Sequence, residues 1–337
     1  MPEIRLNLVS REWVIIAKER AKRPHYFAKE KKEKILSEYE ASCPFCFGNE
    51  HMTPPEKYRF SDDKGWKIRI VPNKFYALKE GDTLYKEYKG MKRCINGTGI
   101  HDVLVETPKH NGIIPLLDIE QVENIIQAYK IMLLRASKNP VVKHVIIFKN
   151  HGEDAGTSII HPHSQIIATP LVPMQVRDRL NAYLHFYEDT GECLFCKILA
   201  DELNEKNRLI IESSNFIAFI PYAALSPFHI WIFPKHHSSI FAMITELELK
   251  DLTLIIRKII TKLYIGLNDP SYNMVFRTLL SREEKLDYFH WYISIVPRVS
   301  KTAGFELGSG MFINTAMPDE SANFLKNIPD KIENQDK

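Results

Sequence analysis

The chain has 337 residues, enough for two domains or one large one with a substantial core, on a prior of about 100–200 residues per domain. Hydrophobic residues make up 45% and charged ones 26%, and a formal net charge of +3 is too small to imply a nucleic-acid partner, so anionic substrates must be met locally. No run reaches the roughly 18 apolar residues that span a bilayer, and residues 1–23 lack an apolar secretion core, so the expectation is no membrane and a cytoplasmic location.

In chain order, the first feature is Cys43-Pro-Phe-Cys46, matched later by Cys193-Leu-Phe-Cys196. Without a secretion signal, such pairs read as metal ligation or redox chemistry before disulfides. Two widely separated pairs fit two metal sites better than a thioredoxin-like motif, which wants one pair near a βαβ unit. Cys94, alone, reads as a small buried hydrophobe. An apolar stretch then ends in Pro108-Lys-His110. A helix is predicted over 118–138, with Asp118 as N-cap and Asn139-Pro140 as the stop; Ile119, Val122, Ile125, Ile126, Tyr129 and Leu133 form its apolar face.

Strands are predicted over 143–149 and 166–168, and between them lies the densest chemistry of the chain. Asn150-His-Gly152-Glu-Asp-Ala-Gly156-Thr-Ser158 runs into His161-Pro-His163-Ser-Gln165. On an extended strand alternate side chains share a face, so His161, His163 and Gln165 point one way, with Pro162 at an edge or kink. A neutral imidazole, with an unperturbed pKa of about 6.5, is a good nucleophile toward phosphorus near pH 7. Neighbouring glycines let backbone approach an anion. The alternative is a strand of surface histidines. His101, His144, His151 and His185 read as solvated or core histidines.

The boundary between halves falls near 170–192, where Pro170, Pro173 and Gly191 flank a short helical stretch. A second apolar stretch ends in Pro234-Lys-His236-His237. A second long helix starts at Thr245, whose spacing to Glu248 is a capping box, and presents Leu249, Leu252, Ile255, Ile256, Ile259 and Leu263 until Gly266 and Pro270 end it. Strands are predicted over 273–277 and 288–296, the latter carrying His290. The intervals from His110 to His161 and from His237 to His290 are nearly equal, so the halves repeat: 1–180, then 181–327, then a frayed polar tail over 328–337.

Structural zinc wants four Cys or His ligands in tetrahedral geometry. The first half offers Cys43, Cys46, His110 and His161; the second offers Cys193, Cys196, either His236 or His237, and His290. That predicts two zinc ions per chain. A metal at His161 would brace the strand that carries His163 without touching substrate.

These residues together resemble the galactose-1-phosphate uridylyltransferase family, a branch of the histidine triad superfamily, over nearly the whole length. The resemblance rests on Arg20-Ala-Lys-Arg23-Pro24, the Cys43/Cys46 pair, Pro72-Asn73-Lys-Phe75, Thr107-Pro-Lys-His110, Asn150 with Gly156 and Ser158, His161-Pro-His163-Ser-Gln165, and a tail beginning at Lys301. It implies an α+β fold of two tandem histidine-triad-like subdomains, each an antiparallel sheet with a long helix. It implies His163 as covalent nucleophile and Gln165 on the phosphates. Asn73, Phe75, Asn150, Gly156 and Ser158 would bind nucleotide, with Arg20 and Arg23 near the phosphates and Lys301, Glu306 and Asn314 at the sugar. A homodimer with active sites at its interface is implied as well.

Familiar bacterial members build the second metal site on a glutamate and histidines, whereas Cys193, Cys196 and the tail around Ala303 to Asn314 resemble a plant-type branch of ADP-glucose phosphorylases. In that branch the first second-half histidine ligand corresponds to His237. The expected activity is double-displacement transfer from a nucleotide sugar through a nucleotidyl-histidine, with UDP-glucose and galactose 1-phosphate as substrates. Adenylyl transfer from ADP-glucose to phosphate is the alternative. A histidine-triad hydrolase and a non-catalytic nucleotide-binding module are the further ones.

Overall fold

The computed structural model describes residues 1–20, 23–28, 36–282 and 285–332, without the side chains of Arg20 and His25. Its first half contains strands β1 (Glu3–Leu6), β2 (Trp13–Ile16), β3 (Tyr58–Asp62), β4 (Gly65–Pro72), β5 (Lys86–Lys89), β6 (Lys92–Ile95) and β7 (Ile100–Val105). Helix α1 (Ile119–Lys138) and strands β8 (His144–His151) and β9 (His163–Thr169) complete it. Helices α2 (Met174–Thr190) and α3 (Leu194–Glu205) lead into β10 (Leu209–Glu212), β11 (Phe216–Phe219), β12 (Ile230–Pro234), α4 (Glu246–Leu267), β13 (Tyr272–Arg277) and β14 (Tyr292–Pro297). The tail holds α5 (Gly304–Ser309), β15 (Phe312–Asn314) and α6 (Pro318–Asn327).

Ten strands form one antiparallel sheet in the order β10-β11-β12-β14-β13-β8-β9-β7-β4-β3. Read outward from its centre, β8-β9-β7-β4-β3 and β13-β14-β12-β11-β10 are the same half-sheet twice. The α+β repeat expected from sequence is therefore present, and its halves are fused edge to edge where β8 pairs with β13, Asn150 opposite Asn273.

The two long helices form where the pattern places them. Asp118 accepts the Gln121 N–H at 2.7 Å, a cap of about 1 kcal/mol, and Thr245 with Glu248 closes a capping box. Val122, Ile125, Ile126, Tyr129 and Leu133 of α1 are buried with Leu249, Leu252, Ile255, Ile256, Ile259 and Leu263 of α4 in one core cluster. Ile119, at the first turn, is 36% exposed.

Five expectations change. The 170–192 segment is a 17-residue helix, not a short one, stopped by Gly191 at φ +72°. Strand β9 starts at His163 rather than 166, leaving His161 just ahead of it, while β14 starts at Tyr292 and leaves His290 in the loop. Cys94 is exposed. Of the expected frayed tail, Ile328 is still bonded into the fold through its N–H to Leu325 O, and 333–337 lie outside the described residues.

Beneath the strand carrying His163 sits a buried ion pair. Lys149 on β8 reaches Glu106 at 2.6 Å, with 2% and 0% of the two side chains exposed. Ser164 donates to the same carboxylate, and the Tyr129 hydroxyl lies 2.7 Å from Ser164 Oγ, so α1 and the ends of three strands are tied to one group. Removing one partner of such a pair leaves a buried charge unpaired. Lys149→Met should cost about 3–5 kcal/mol in urea unfolding, and Glu106→Gln in the same chain should return part of it; a loss under about 1 kcal/mol would contradict the assignment.

Candidate active site and metal-binding groups

The sheet alternation puts Val145, Ile147 and Lys149 of β8 toward α1, and His163 and Gln165 of β9 on the opposite face from Ser164 and Ile166. His163 is 7% exposed. Its Nδ1 lies 2.9 Å from the His161 carbonyl, which accepts only, so Nδ1 carries the proton and Nε2 keeps its lone pair. Burial lowers its pKa from the ordinary value, against the raising effect of the His161 carbonyl, favouring the neutral ring. A neutral imidazole with an oriented Nδ1–H and a bare Nε2 is equipped for nucleophilic attack.

His161, just ahead of β9, enters the first metal group, whose cysteines cluster with Val103 and Val105 on the face that carries His163 and Gln165. Cys43, Cys46, His110 and His161 place one donor atom each within 4.8 Å of one another. The His110 and His161 Nδ1 atoms stand 3.5 and 3.6 Å from Cys46 Sγ, and His161 Nε2 donates to Thr107 O at 2.8 Å, the outer hydrogen bond that orients a ligating imidazole. Burial takes His161 down to about 4 and pushes the Cys43 thiol up to about 11. The donor set fits a tetrahedral thiolate-imidazole site, where a cation favours deprotonated sulfur. Phe45, between the two cysteines, packs on His161 and His163 with ring centroids 6.0 and 5.4 Å away. The metal group and the nucleophile thus share a wall.

The second group contains Cys193, Cys196 and His237, also within 4.8 Å. His237 joins through Nδ1, 3.4 Å from Cys196 Sγ, while His236 pairs with Glu248 at 3.2 Å. His290 stands beside the group, its ring nitrogens outside the set of mutually close donors. Its ring nevertheless meets His237 at 5.5 Å and 78°, the same arrangement as His110 with His161, and its buried Nε2 has no hydrogen-bond partner among the described residues.

The remaining expected residues separate into those gathered near Gln165, those beside the β8–β13 seam and those elsewhere. Asn73 Nδ2 lies 3.4 Å from Gln165 Oε1, and its Oδ1 accepts the Phe75 N–H at 2.8 Å, which holds Phe75 out with 85% exposure. Asn150 Oδ1 accepts from Asn273 at 2.9 Å, and Asn273 also donates to Ala155 O, pinning the 152–157 loop over the seam. Gly156, at φ +87°, and Ser158 are exposed on that loop and its continuation. Arg23 is exposed; the Arg20 side chain lies outside the described residues. Lys301 is exposed, and Glu306 turns back onto Ala303 N at its own helix start. Asn314 is 1% exposed with its amide engaged by Ala224 O and Ala316 N, so it anchors the tail and offers a sugar neither end.

Sequence reasoning missed His101 and Asn273, both of which touch expected ligand-binding amides. His101 lies on β7 two pairs from the Val103–Gln165 pairing; only its alternation with Val103 hinted at a shared face. In the second half the same places hold Tyr292 for His163, Ser294 for Gln165 and His229 for His101. Tyr292 is 6% exposed and stacked on Phe233 at 4.8 Å, so the second half holds no imidazole in the place that matches His163.

A bare Nε2, amide groups near it and glycine-bearing backbone are the equipment that covalent histidine transfer to phosphoryl compounds requires. Residues 1–173 match the galactose-1-phosphate uridyl transferase N-terminal domain and 179–323 its C-terminal domain, and the chain belongs to that family of nucleotidyltransferases. An ADP-glucose phosphorylase of Arabidopsis thaliana is 38% identical over 97% of this chain and 93% of its own. A galactose-1-phosphate uridylyltransferase of Thermotoga maritima is 28% identical over 97% and 98%. The crystal structure of an Arabidopsis thaliana ADP-glucose phosphorylase with bound ADP-glucose superposes with a TM-score of 0.82 at 34% identity, covering 98% of this chain and all of that one. Among the described residues no helix is long and apolar enough to cross a membrane.

Proposed function

We propose that this chain transfers nucleotidyl groups between sugar phosphates by double displacement through His163, with UDP-glucose and galactose 1-phosphate as substrates. The observation that carries the reading is the Nδ1–H of His163 held on the His161 carbonyl, which leaves Nε2 bare. Nε2 attacks the α-phosphorus, the N–P bond forms, and the P–O bond to the sugar phosphate breaks with its electrons. The adduct's positive imidazole is stabilised by the same carbonyl. A phosphate oxygen of the second substrate then attacks the phosphorus and returns the electron pair to Nε2. Gln165, Ser158 and loop N–H groups stabilise charge on the equatorial oxygens, an effect of about 3–4 kcal/mol per donor in other enzymes. Exposed Phe75 offers its ring to the base, Asn73, Asn150 and Gly156 the hydrogen bonds, and Arg20 and Arg23 charge near the phosphates.

Two zinc ions per chain fit the two donor sets, with Cys43, Cys46, His110 and His161 holding one and Cys193, Cys196, His237 and His290 the other. Zinc supplies bracing of the strands and takes no part in the transfer. The chain reads as a cytoplasmic homodimer with halves 1–180 and 181–327 and a tail over 328–337, in which Lys301 and Glu306 of one protomer serve the sugar end of its partner's site.

A second reading, adenylyl transfer from ADP-glucose to inorganic phosphate, is favoured by the 38% identity to a phosphorylase against 28% to a uridylyltransferase. A matrix of UDP- and ADP-glucose against galactose 1-phosphate and phosphate separates them. The first reading expects UDP-glucose with galactose 1-phosphate to lead in kcat/KM by tenfold or more, about 1.4 kcal/mol; the reverse order makes the enzyme a phosphorylase. Rapid hydrolysis with no acceptor present would overturn both.

A further inference from the structure

The hydrogen bonds around Gln165 involve a histidine outside the nucleophile motif. Ala77 N–H donates to His101 Nδ1 at 3.0 Å, and a backbone N–H can only donate, so the His101 proton sits on Nε2. That Nε2–H points at Gln165 Oε1, 2.8 Å away. The Asn73 amide keeps its NH2 end inward, because its Oδ1 already accepts the Phe75 N–H; that Nδ2 lies 3.0 Å from His101 Nε2 and 3.4 Å from Gln165 Oε1. The His101 N–H thus fixes the oxygen end of the Gln165 amide, with the Asn73 NH2 group beside it. Its NH2 end has no partner among the described residues and is the end left for a ligand.

We propose that His101 is a positioning residue for the transfer: it locks the Gln165 amide with its NH2 end toward the reacting phosphate, and ties that setting to the 73–77 segment. The proposal rests on the nucleotidyl-transfer reading above. An amide free to rotate would present its carbonyl oxygen to the phosphate part of the time, where it repels charge instead of stabilising it. The second half supplies the contrast. There His229 Nε2 meets Ser294 Oγ at 2.8 Å in the equivalent place, but a hydroxyl has no wrong end to exclude, and that half has no nucleophile.

The test is a double-substitution cycle read by single-turnover formation of the nucleotidyl-enzyme adduct. The probe is UDP-glucose or ADP-glucose labelled in the nucleotide, whichever labels the wild type. His101→Leu should slow adduct formation about tenfold or more, whereas in a Gln165→Ala background the same change should cost less than about threefold, because His101 acts through that amide. Equal losses in both backgrounds, or no loss in the first, would overturn the proposal. Should His101→Leu melt early, His101→Gln carries the test: it keeps a donor and an acceptor and should form adduct within threefold of wild type, and failure to do so counts against the proposal. Absence of adduct in the wild type with either nucleotide sugar would instead sink the transfer reading itself.

Discussion

Replacing His163 with alanine is expected to lower nucleotidyl transfer by about 10⁴-fold or more, the scale seen when a covalent nucleophile is removed from other enzymes. The expectation follows from geometry. Nε2 of His163 is the bare nitrogen of a ring whose Nδ1 is already committed to the His161 carbonyl, and the repeat offers no substitute, since the matching place in the second half is filled by Tyr292 stacked on Phe233. Because His163 is buried against Phe45, a cavity accompanies the alanine, so His163→Asn should be measured beside it with thermal melting of both. A drop of less than tenfold in a folded variant would remove His163 from the mechanism.

The second large effect is expected from the first metal group. Cys46→Ser should remove one metal ion per chain and lower stability by roughly 3 kcal/mol or more, a thermal shift of roughly 6–12 °C. Transfer should fall with it, because Phe45 lies between the two cysteines and against both His161 and His163. Acidification should mimic the substitution, since thiolate and imidazole ligands take up protons as metal leaves. Cys196→Ser is the control: its group includes an exposed histidine and contacts the second half, so metal loss there should cost transfer much less. Elemental analysis and melting read both variants; unchanged metal content in Cys46→Ser, or equal losses of transfer from the two, would contradict the bracing role.

The parts of this architecture that were legible in the sequence are those written in local patterns. Asp118 and Thr245 announce their helices because a cap and an apolar stripe lie within a few residues of each other. The cysteine pairs and the His161 to Gln165 element carry their chemistry in adjacent residues, and the repeat pointed to His110 and to the His236–His237 pair, within which the family resemblance corresponds to His237. What stayed hidden depends on pairing across long stretches of chain. The β8–β13 seam that fuses the halves, the Glu106–Lys149 pair under β9, and the contact of Asn273 with Asn150 join residues far apart in sequence with nothing local to mark them. His101 looks solvated in the sequence because its partners, Ala77 and Gln165, come from another loop and another strand. Strand β9 begins earlier than its apolar run because His163, Ser164 and Gln165 are polar yet pair fully with Val105, Leu104 and Val103.

The central claim, a covalent intermediate on one imidazole, is tested most directly by peptide mass analysis of enzyme quenched in alkali after mixing with UDP-glucose or ADP-glucose and no acceptor. A nucleotidyl-histidine is stable to base and lost in acid. The account predicts a mass increase of one uridylyl or adenylyl group on the peptide containing 161–165, located at His163, stoichiometric with chains and discharged by galactose 1-phosphate or phosphate. An unmodified peptide during active turnover, or a label carried on any other residue, would contradict it.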